Sequence, residues 1–435
     1  MLDCGDMKAR ICSVVLLIAL PLAGEAIEDA IAPQLPSLEK LYFELHQRPE
    51  LSYHEVETSK RLAAELRSAG FEVTTGVGGT GVVGVLKNGA GPTVLVRTDM
   101  DALPVEEKTG RPYASTVRVK DDAGNDVGVM HACGHDIHMT VFTGTAHVLS
   151  KLKNDWHGTL LMIAQPAEER GGGARAMLKD GLFTRFPRPD FNLALHTDPN
   201  LEAGKIGFRE GYVMANVDSL DVTIRGVGGH GAYPHLTKDP IVIAAETIMM
   251  LQTVVSRETR PVDAAVVTVG SIHGGTKHNI IPDEVKLQLT VRSYRPEVRD
   301  QTLTAIERVV KGVAAAAGVP EDRSPIVHRD PTEFTPSLYN NPELIKRLVP
   351  IWKASVGDDH VVDREPEMGG EDFSEYGRVE PKIPSAMFRL GTIDAQRISN
   401  GKLPGLHSSQ YWPAIEPTIR TGVLVMTNSV LELMK

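Results

Sequence analysis

The sequence predicts an α/β protein of two domains: a discontinuous α/β domain with a central, mostly parallel sheet and, inserted into it, a smaller βαββαβ two-layer domain. Three observations lead there. At 435 residues the chain is too long for one ordinary core. Short apolar, β-branched runs recur with helical sequence between them, and each runs into a carboxylate or an imidazole; open α/β sheets carry their sites there, outside the carboxyl ends of the strands. From about Val217 the texture changes to strand, helix, strand, strand, helix, strand, which is self-sufficient as a two-layer unit.

Taken in order, the elements begin at Leu38. Leu38, Leu41 and Leu45, then Val56, Leu62 and Leu66, stand at helical spacing over 38–70, and Gly70 ends the stretch. The runs 82–86 and 93–96 are short, β-branched and bounded by Gly, Asn and Pro, so they read as strands. The second leads into Arg97 to Pro104, where two carboxylates stand at the strand's end. Residues 136–152 carry Ile137, Val141, Val148, Leu149 and Leu152 among mostly polar neighbours, an amphipathic helix. The runs 159–164 and 193–195 are followed by Glu168-Glu169 and by His196. In the insert, strands are expected at 219–224, 265–272, 285–292 and 324–328, and helices at 240–257 and 296–317. From Asn340 alternating helices and strands return, so the outer domain comprises 27–215 and 331–435 and the insert 216–330.

A net charge of −10 argues against nucleic acid or anionic membrane as partner, since both reward basic patches. The front end reads as an export signal over 1–26. From Met7 a charged Met-Lys-Ala-Arg precedes an apolar run over 11–22, and small residues close at Gly24-Glu25-Ala26, placing the mature start near Ile27. Residues 1–6 read as an upstream extension, with Met7 as an alternative start. The apolar run of about a dozen residues is short against the roughly 20 that span a membrane. A periplasmic or secreted protein without membrane attachment is expected. Cys4 and Cys12 lie in the leader, so the mature chain keeps only Cys133 and cannot form an internal disulfide. A lone thiol in an oxidising compartment is a liability unless something such as a metal occupies it.

The stretch from His131 to His138 puts a thiol, three imidazoles and a carboxylate into eight residues. Cys133 and His135, one residue apart, can aim into one small volume. Cys133 also sits just before the expected helix, where the dipole and free N–H groups favour thiolate; the bland alternative is a small buried Cys beside surface histidines. With Asp99, Glu168, Glu169, His196 and His407 added, the donors are too many for one tetrahedral ion with an open position. Two ions about 3.5–4 Å apart can hold a bridging hydroxide and polarise a carbonyl. Adjacent Glu168 and Glu169 point in different directions, so one can ligate while the other serves as general base. The residues alone leave open which does which.

The motifs Arg97 to Pro104, His131 to Asp136, Glu168-Glu169, Gly228 to Ala232, Asn279 to Pro282, Met368 to Phe373 and Leu406 to Ser408 together resemble the N-acyl-amino-acid amidohydrolase family, which includes hippurate hydrolase, aminoacylase-like enzymes and auxin-conjugate hydrolases. The resemblance runs in order from about Leu38 to the C-terminus. It implies two divalent ions held by Cys133, His135, Glu169, His196 and His407, with Glu168 as base and Asp99 orienting from behind. It also implies that the insert is a lid and often a dimerisation surface, with His230 and Asn279 reaching the substrate. Flanking glycines let the backbone at His230 come close to a ligand. Arg292, on the lid strand after Asn279, is the candidate for the substrate carboxylate, which a guanidinium pairs bidentately. Gly370 departs from the family's common Ser.

The expectation is therefore an exported, metal-dependent amidohydrolase that cleaves the acyl amide of small N-acyl amino acids or similar conjugates, with zinc, manganese or cobalt suited to the donor mixture and a homodimer through the lid. Two alternatives stand beside it. A non-catalytic periplasmic small-molecule binding protein also has two α/β domains, but does not need adjacent glutamates with five ligands. A thiol enzyme would use Cys133 as nucleophile.

Overall fold

The computed structural model describes residues 22–401 and 403–435. Most of the expected export signal, residues 1–21, lies outside the described residues. Eight strands form the central sheet, in the order Glu72–Val77, Gly81–Asn88, Gly158–Gln165, Thr93–Asp99, Phe191–Glu202, Ser385–Ile393, Ile206–Phe208 and Val361–Asp363. Its middle is parallel, from Gly158–Gln165 through Thr93–Asp99 and Phe191–Glu202 to Ser385–Ile393. These middle strands are buried almost throughout because helices cover both faces. Leu35–His46, Val56–Ser68, His135–Lys151, Pro342–Val356 and Ile415–Leu433 pack on one face, and Gly173–Lys179 and Ser374–Arg378 on the other. Ser385–Ile393, more than a hundred residues beyond the start of the insert, enters beside Phe191–Glu202, so the outer domain closes only after the chain returns.

The insert is a four-stranded antiparallel sheet in the order Ala265–His273, Glu284–Ser293, Asn216–Arg225 and Ile326–Arg329, backed by helices Pro240–Thr253 and Pro296–Ala316. Alternate residues of Asn216–Arg225 and Glu284–Ser293 are buried, the period-two pattern of a sheet packed on one face. All four strands and both helices fall where the sequence places them, within a few residues.

Two local expectations are corrected and one strand is added. The helical stretch 38–70 is two helices, Leu35–His46 and Val56–Ser68; Pro49 disfavours helix at Arg48, and the loop so released carries Ser52 and Glu55 toward the site. The helix after the Cys motif, His135–Lys151, is buried nearly all round rather than amphipathic, because it runs between the sheet and the helices Leu35–His46 and Ile415–Leu433. Glu72–Val77 was not anticipated; it is a mostly exposed edge strand with little apolar signal. Helix Leu22–Ile31 spans the expected processing point, and Ile27 and Ile31 are buried in the core beside Ile415–Leu433.

Candidate metal centre

Adjacent parallel strands bring their carboxyl ends to one place. Thr93–Asp99 ends at Asp99, Gly158–Gln165 delivers Glu168 and Glu169 three and four residues on, and Phe191–Glu202 carries His196. Cys133 arrives from the loop before His135–Lys151 and His135 from the first residue of that helix, with Gly134 between them turning the chain at φ +80°; a β-carbon there would come within 2.9 Å of the Thr197 hydroxyl oxygen. His407 comes from the loop before Ile415–Leu433. Ala167 and His407 are non-glycine residues in the left-handed region, at φ +48° and +64°. Such strain costs about 1–3 kcal/mol and persists where surroundings impose it. Here the Ala167 N–H donates to Glu55 Oε1 (2.8 Å) and the His407 N–H to the Ala132 carbonyl (2.9 Å).

The five residues carried over as ligands converge. Cys133, His135 and His196 offer atoms within 4.8 Å of one another, as do Cys133, Glu169 and His407, so Cys133 is common to two donor groups. His135 Nδ1–H donates to the Asp101 carbonyl (2.7 Å) and His196 Nδ1–H to the Thr197 carbonyl (2.9 Å), which aims both Nε2 atoms at the centre. His196 Nε2 lies 3.6 Å from Cys133 Sγ, and Glu169 Oε1 lies 3.5 Å from His407 Nε2 and 3.8 Å from His135 Nε2. His135 Nε2 and Glu169 Oε1 are buried without a hydrogen-bond partner. Orphaning one such atom costs about 1–3 kcal/mol. Their separation is too long for a hydrogen bond but suits shared ligation of an ion, whose bonds run about 2.0–2.3 Å. Thiol, imidazole and carboxylate together fit first-row divalent ions.

The electrostatics favour the ligating form at His196, whereas Cys133, Glu169 and His135 need a cation to reach theirs. At His135 burial is outweighed by Asp99 and Asp101, which raise its imidazole well above the ordinary value. Burial, then Glu169, pushes the Cys133 thiol well up, so the helix dipole does not suffice to hold a thiolate; a neighbouring cation is needed. Burial, then Arg389, holds His196 well below the ordinary imidazole value, keeping it in the neutral, ligating form. Burial raises Glu169 to about 7 against the pull of His135. Burial, with Glu371 and Glu169 beside it, pushes Glu168 well up. A divalent ion acts in the opposite direction on all the acidic groups.

The model of peptidase family M20/M25/M40 matches residues 95–431. The chain belongs to that family. It is 38% identical over 365 residues to an N-acetyldiaminopimelate deacetylase of Leuconostoc mesenteroides, covering 83% of this chain and 90% of that one. To thermostable carboxypeptidase 1 of Saccharolobus solfataricus it is 36% identical over 384 residues, covering 87% and 91%. Among solved structures it superposes on the Bacillus subtilis YXEP protein, described as a dinuclear metal binding peptidase from the M20 family, with a TM-score of 0.75, 30% identity, and 92% and 99% of the two chains covered.

In this M20 chain the groups behind the ligands form two chains of contact. Asp99 does not bond His135, whose Nε2 is 3.7 Å away. It accepts from His138 Nδ1–H (2.7 Å) and from Arg97 Nη1 (2.7 Å), and His138 Nε2 accepts the Thr197 N–H (2.9 Å). Asp99 thus steadies the His196 strand through His138. Asp101 holds the rest: its carbonyl fixes His135, and its carboxylate accepts the N–H groups of Glu168 (3.1 Å) and Glu169 (3.0 Å) and the Ser52 hydroxyl (2.6 Å). Neither Asp101 nor His138 was singled out from the sequence. The available signals were the second carboxylate of Asp99-Met-Asp101 and the three-residue spacing of His138 from His135 on one helix face.

A cleft of about 490 Å³ opens over the centre, lined by Cys133, Glu168, Glu169, His196 and His407 from the outer domain and by Val217, Ser219 and Arg292 from the insert. Arg292 Nη1 donates to the Met368 carbonyl (2.6 Å). His230 and Asn279 are not among its walls. They sit exposed at a short ribbon where Gly229–His230 pairs with Ile280–Ile281.

Proposed function

We propose that the chain is an exported metal-dependent amidohydrolase that cleaves the acyl amide of small N-acyl amino acids. The observation that carries this reading is the convergence of orphaned His135 Nε2 and Glu169 Oε1 with Cys133, His196 and His407, beside a second glutamate, Glu168, left over once those five are assigned as ligands. The relative named for deacetylating N-acetyldiaminopimelate supports the substrate class. Neither a binding protein nor a thiol enzyme accounts for that donor set; the raised Cys133 thiol is also a poor nucleophile.

Two divalent ions, when bound, would lower the pKa of water and polarise the amide carbonyl. Cys133, His135, Glu169, His196 and His407 would hold them. Glu168 takes the proton of the attacking water as its oxygen bonds to the carbonyl carbon, then gives that proton to the amide nitrogen as the C–N bond breaks. A carboxyl whose surroundings push it upward suits both halves of that transfer. Arg292, reaching down from the insert, pairs with the substrate carboxylate and ties the insert, acting as a lid, to the ligand. The cleft volume suits a ligand of this size.

The lid also offers a surface for a second copy. Ile241, Val242, Met249 and Met250 are exposed on helix Pro240–Thr253, and strand Ala265–His273 is an open edge that exposes Ile272. We place the homodimer there, with His230 and Asn279 on the same lid completing the substrate contacts.

A hydrolysis screen over N-acyl amino acids with mass-spectrometric detection of the freed amino acid tests the function. Release of the amino acid from at least one class is the expected result. Tight binding of such compounds with no cleavage in the metal-loaded protein would instead favour a binding protein.

A further inference from the structure

Arg389 is a buried guanidinium that nothing in the mechanism above uses. It lies on the central strand Ser385–Ile393, directly opposite His196 in the register, and it is 4% exposed between the apolar Phe388 and Leu390. It nevertheless lines the cleft. Among the described residues its one hydrogen bond is from Nη2 to Glu367 Oε2 (2.8 Å), and the Glu367 side chain is half exposed at the cleft wall. A guanidinium has five N–H donors, so most of this one is left to whatever enters.

The next residue along, Met368, accepts from Arg292 through its carbonyl. Two guanidiniums, one fixed in the outer sheet and one on the lid, are therefore tethered to consecutive residues of one wall. The other acids lining the cleft are otherwise engaged or peripheral. Glu168 and Glu169 belong to the centre, Glu371 and Asp372 are held by Arg97 (2.9 and 3.2 Å), and Glu333 is exposed on the chain's return from the lid. A buried charge is costly unless it is paired and hydrogen-bonded, and a half-exposed glutamate on one N–H leaves that requirement open.

We infer that Arg389 is a specificity-determining residue, and that with Arg292 it makes the cleft a receptor for amides bearing two carboxylates, one for each guanidinium. The inference rests on the amidohydrolase reading and names the substrate class within it. The second carboxylate belongs either to the amino-acid half or to the acyl half, and two matched pairs of compounds separate those cases: N-acetyl-glutamate against N-acetyl-glutamine, and N-succinyl-alanine against N-butyryl-alanine.

Binding is measured by calorimetry on the metal-loaded Glu168→Gln protein, and kcat/KM on the wild type. The expected result is a preference of about tenfold or more for the charged member of one pair, the worth of one charge-assisted hydrogen bond. Arg389→Met should remove that preference, Arg389→Lys should keep part of it, and the metal content of both variants should match their parent. No preference in either pair, or a preference that survives Arg389→Met, overturns the inference. A binding preference that Arg389→Met abolishes, in a protein whose wild type cleaves none of the compounds, upholds the receptor and overturns the amidohydrolase reading instead.

Discussion

Glu168 and Glu169 hang from a single carboxylate, that of Asp101, yet their side chains do different work. Glu168→Gln keeps the metal but cannot carry the proton, so kcat should fall by about 10²–10⁴ while metal content stays at the wild-type level; near-normal turnover with metal retained would show the role misassigned. Asp101→Ala removes the carboxylate that holds both glutamate backbones and the Ser52 hydroxyl, while the main-chain carbonyl that fixes His135 remains. Loss of such a support weakens metal affinity by about 10–100-fold, measurable by competition with a chelating dye, and unchanged affinity would count against it. Residue identities were legible where chemistry restricts the choice: a Cys, two His and a Glu-Glu pair at strand ends are conspicuous in any sequence. Asp101, His138 and Arg389 were not, because their roles come from where their side chains and carbonyls point in the fold. Gly370, the one departure from the family motif, has a local reason. A β-carbon there would stand 2.7 Å from Val217 Cγ2 at the cleft wall, and a β-branched valine yields little.

At the scale of elements, helix Leu35–His46 is bolted to the metal loop through His46. Its Nδ1 lies 2.6 Å from Asp136 Oδ2 and its Nε2 3.1 Å from Glu107 Oε2, all three groups being buried. Burial alone would lower His46, but Asp136 and Glu107 outweigh it and raise the imidazole from 6.5 to about 9. A group raised on folding contributes stability in full below its unfolded value and loses it as pH climbs through the folded one. This clamp should therefore hold fully at pH 6 and weaken progressively between about pH 6.5 and 9, by up to about 3 kcal/mol. Denaturant unfolding of the wild type and His46→Gln should show a stability gap that closes across that window; a constant gap would mean that His46 is not charged in the folded state. The lid elements were readable within a few residues because its two central strands, Asn216–Arg225 and Glu284–Ser293, bury one face and so alternate in sequence. The split of 38–70 and the all-round burial of His135–Lys151 were not, since both are imposed by neighbouring helices rather than by local pattern.

For the whole molecule, the order of domains followed from length and from the change of texture near Val217, whereas the position of the lid relative to the centre needed the fold. If the lid carries the dimer, sedimentation should give twice the chain mass, and Met249→Glu combined with Ile272→Glu should shift it to monomer; a wild type that sediments as a monomer would remove that interface. Processing near Ile27 would keep Ile27 and Ile31 in the core, and intact-mass analysis of exported protein should show the leader absent. The central claim is that five convergent side chains hold two divalent ions on which hydrolysis depends. Metal analysis of the purified protein, paired with turnover of an N-acyl amino acid before and after chelation, tests it directly. Close to two ions per chain is the expected result, with activity abolished by the chelator and restored by zinc, manganese or cobalt; full turnover by protein stripped of metal would contradict it.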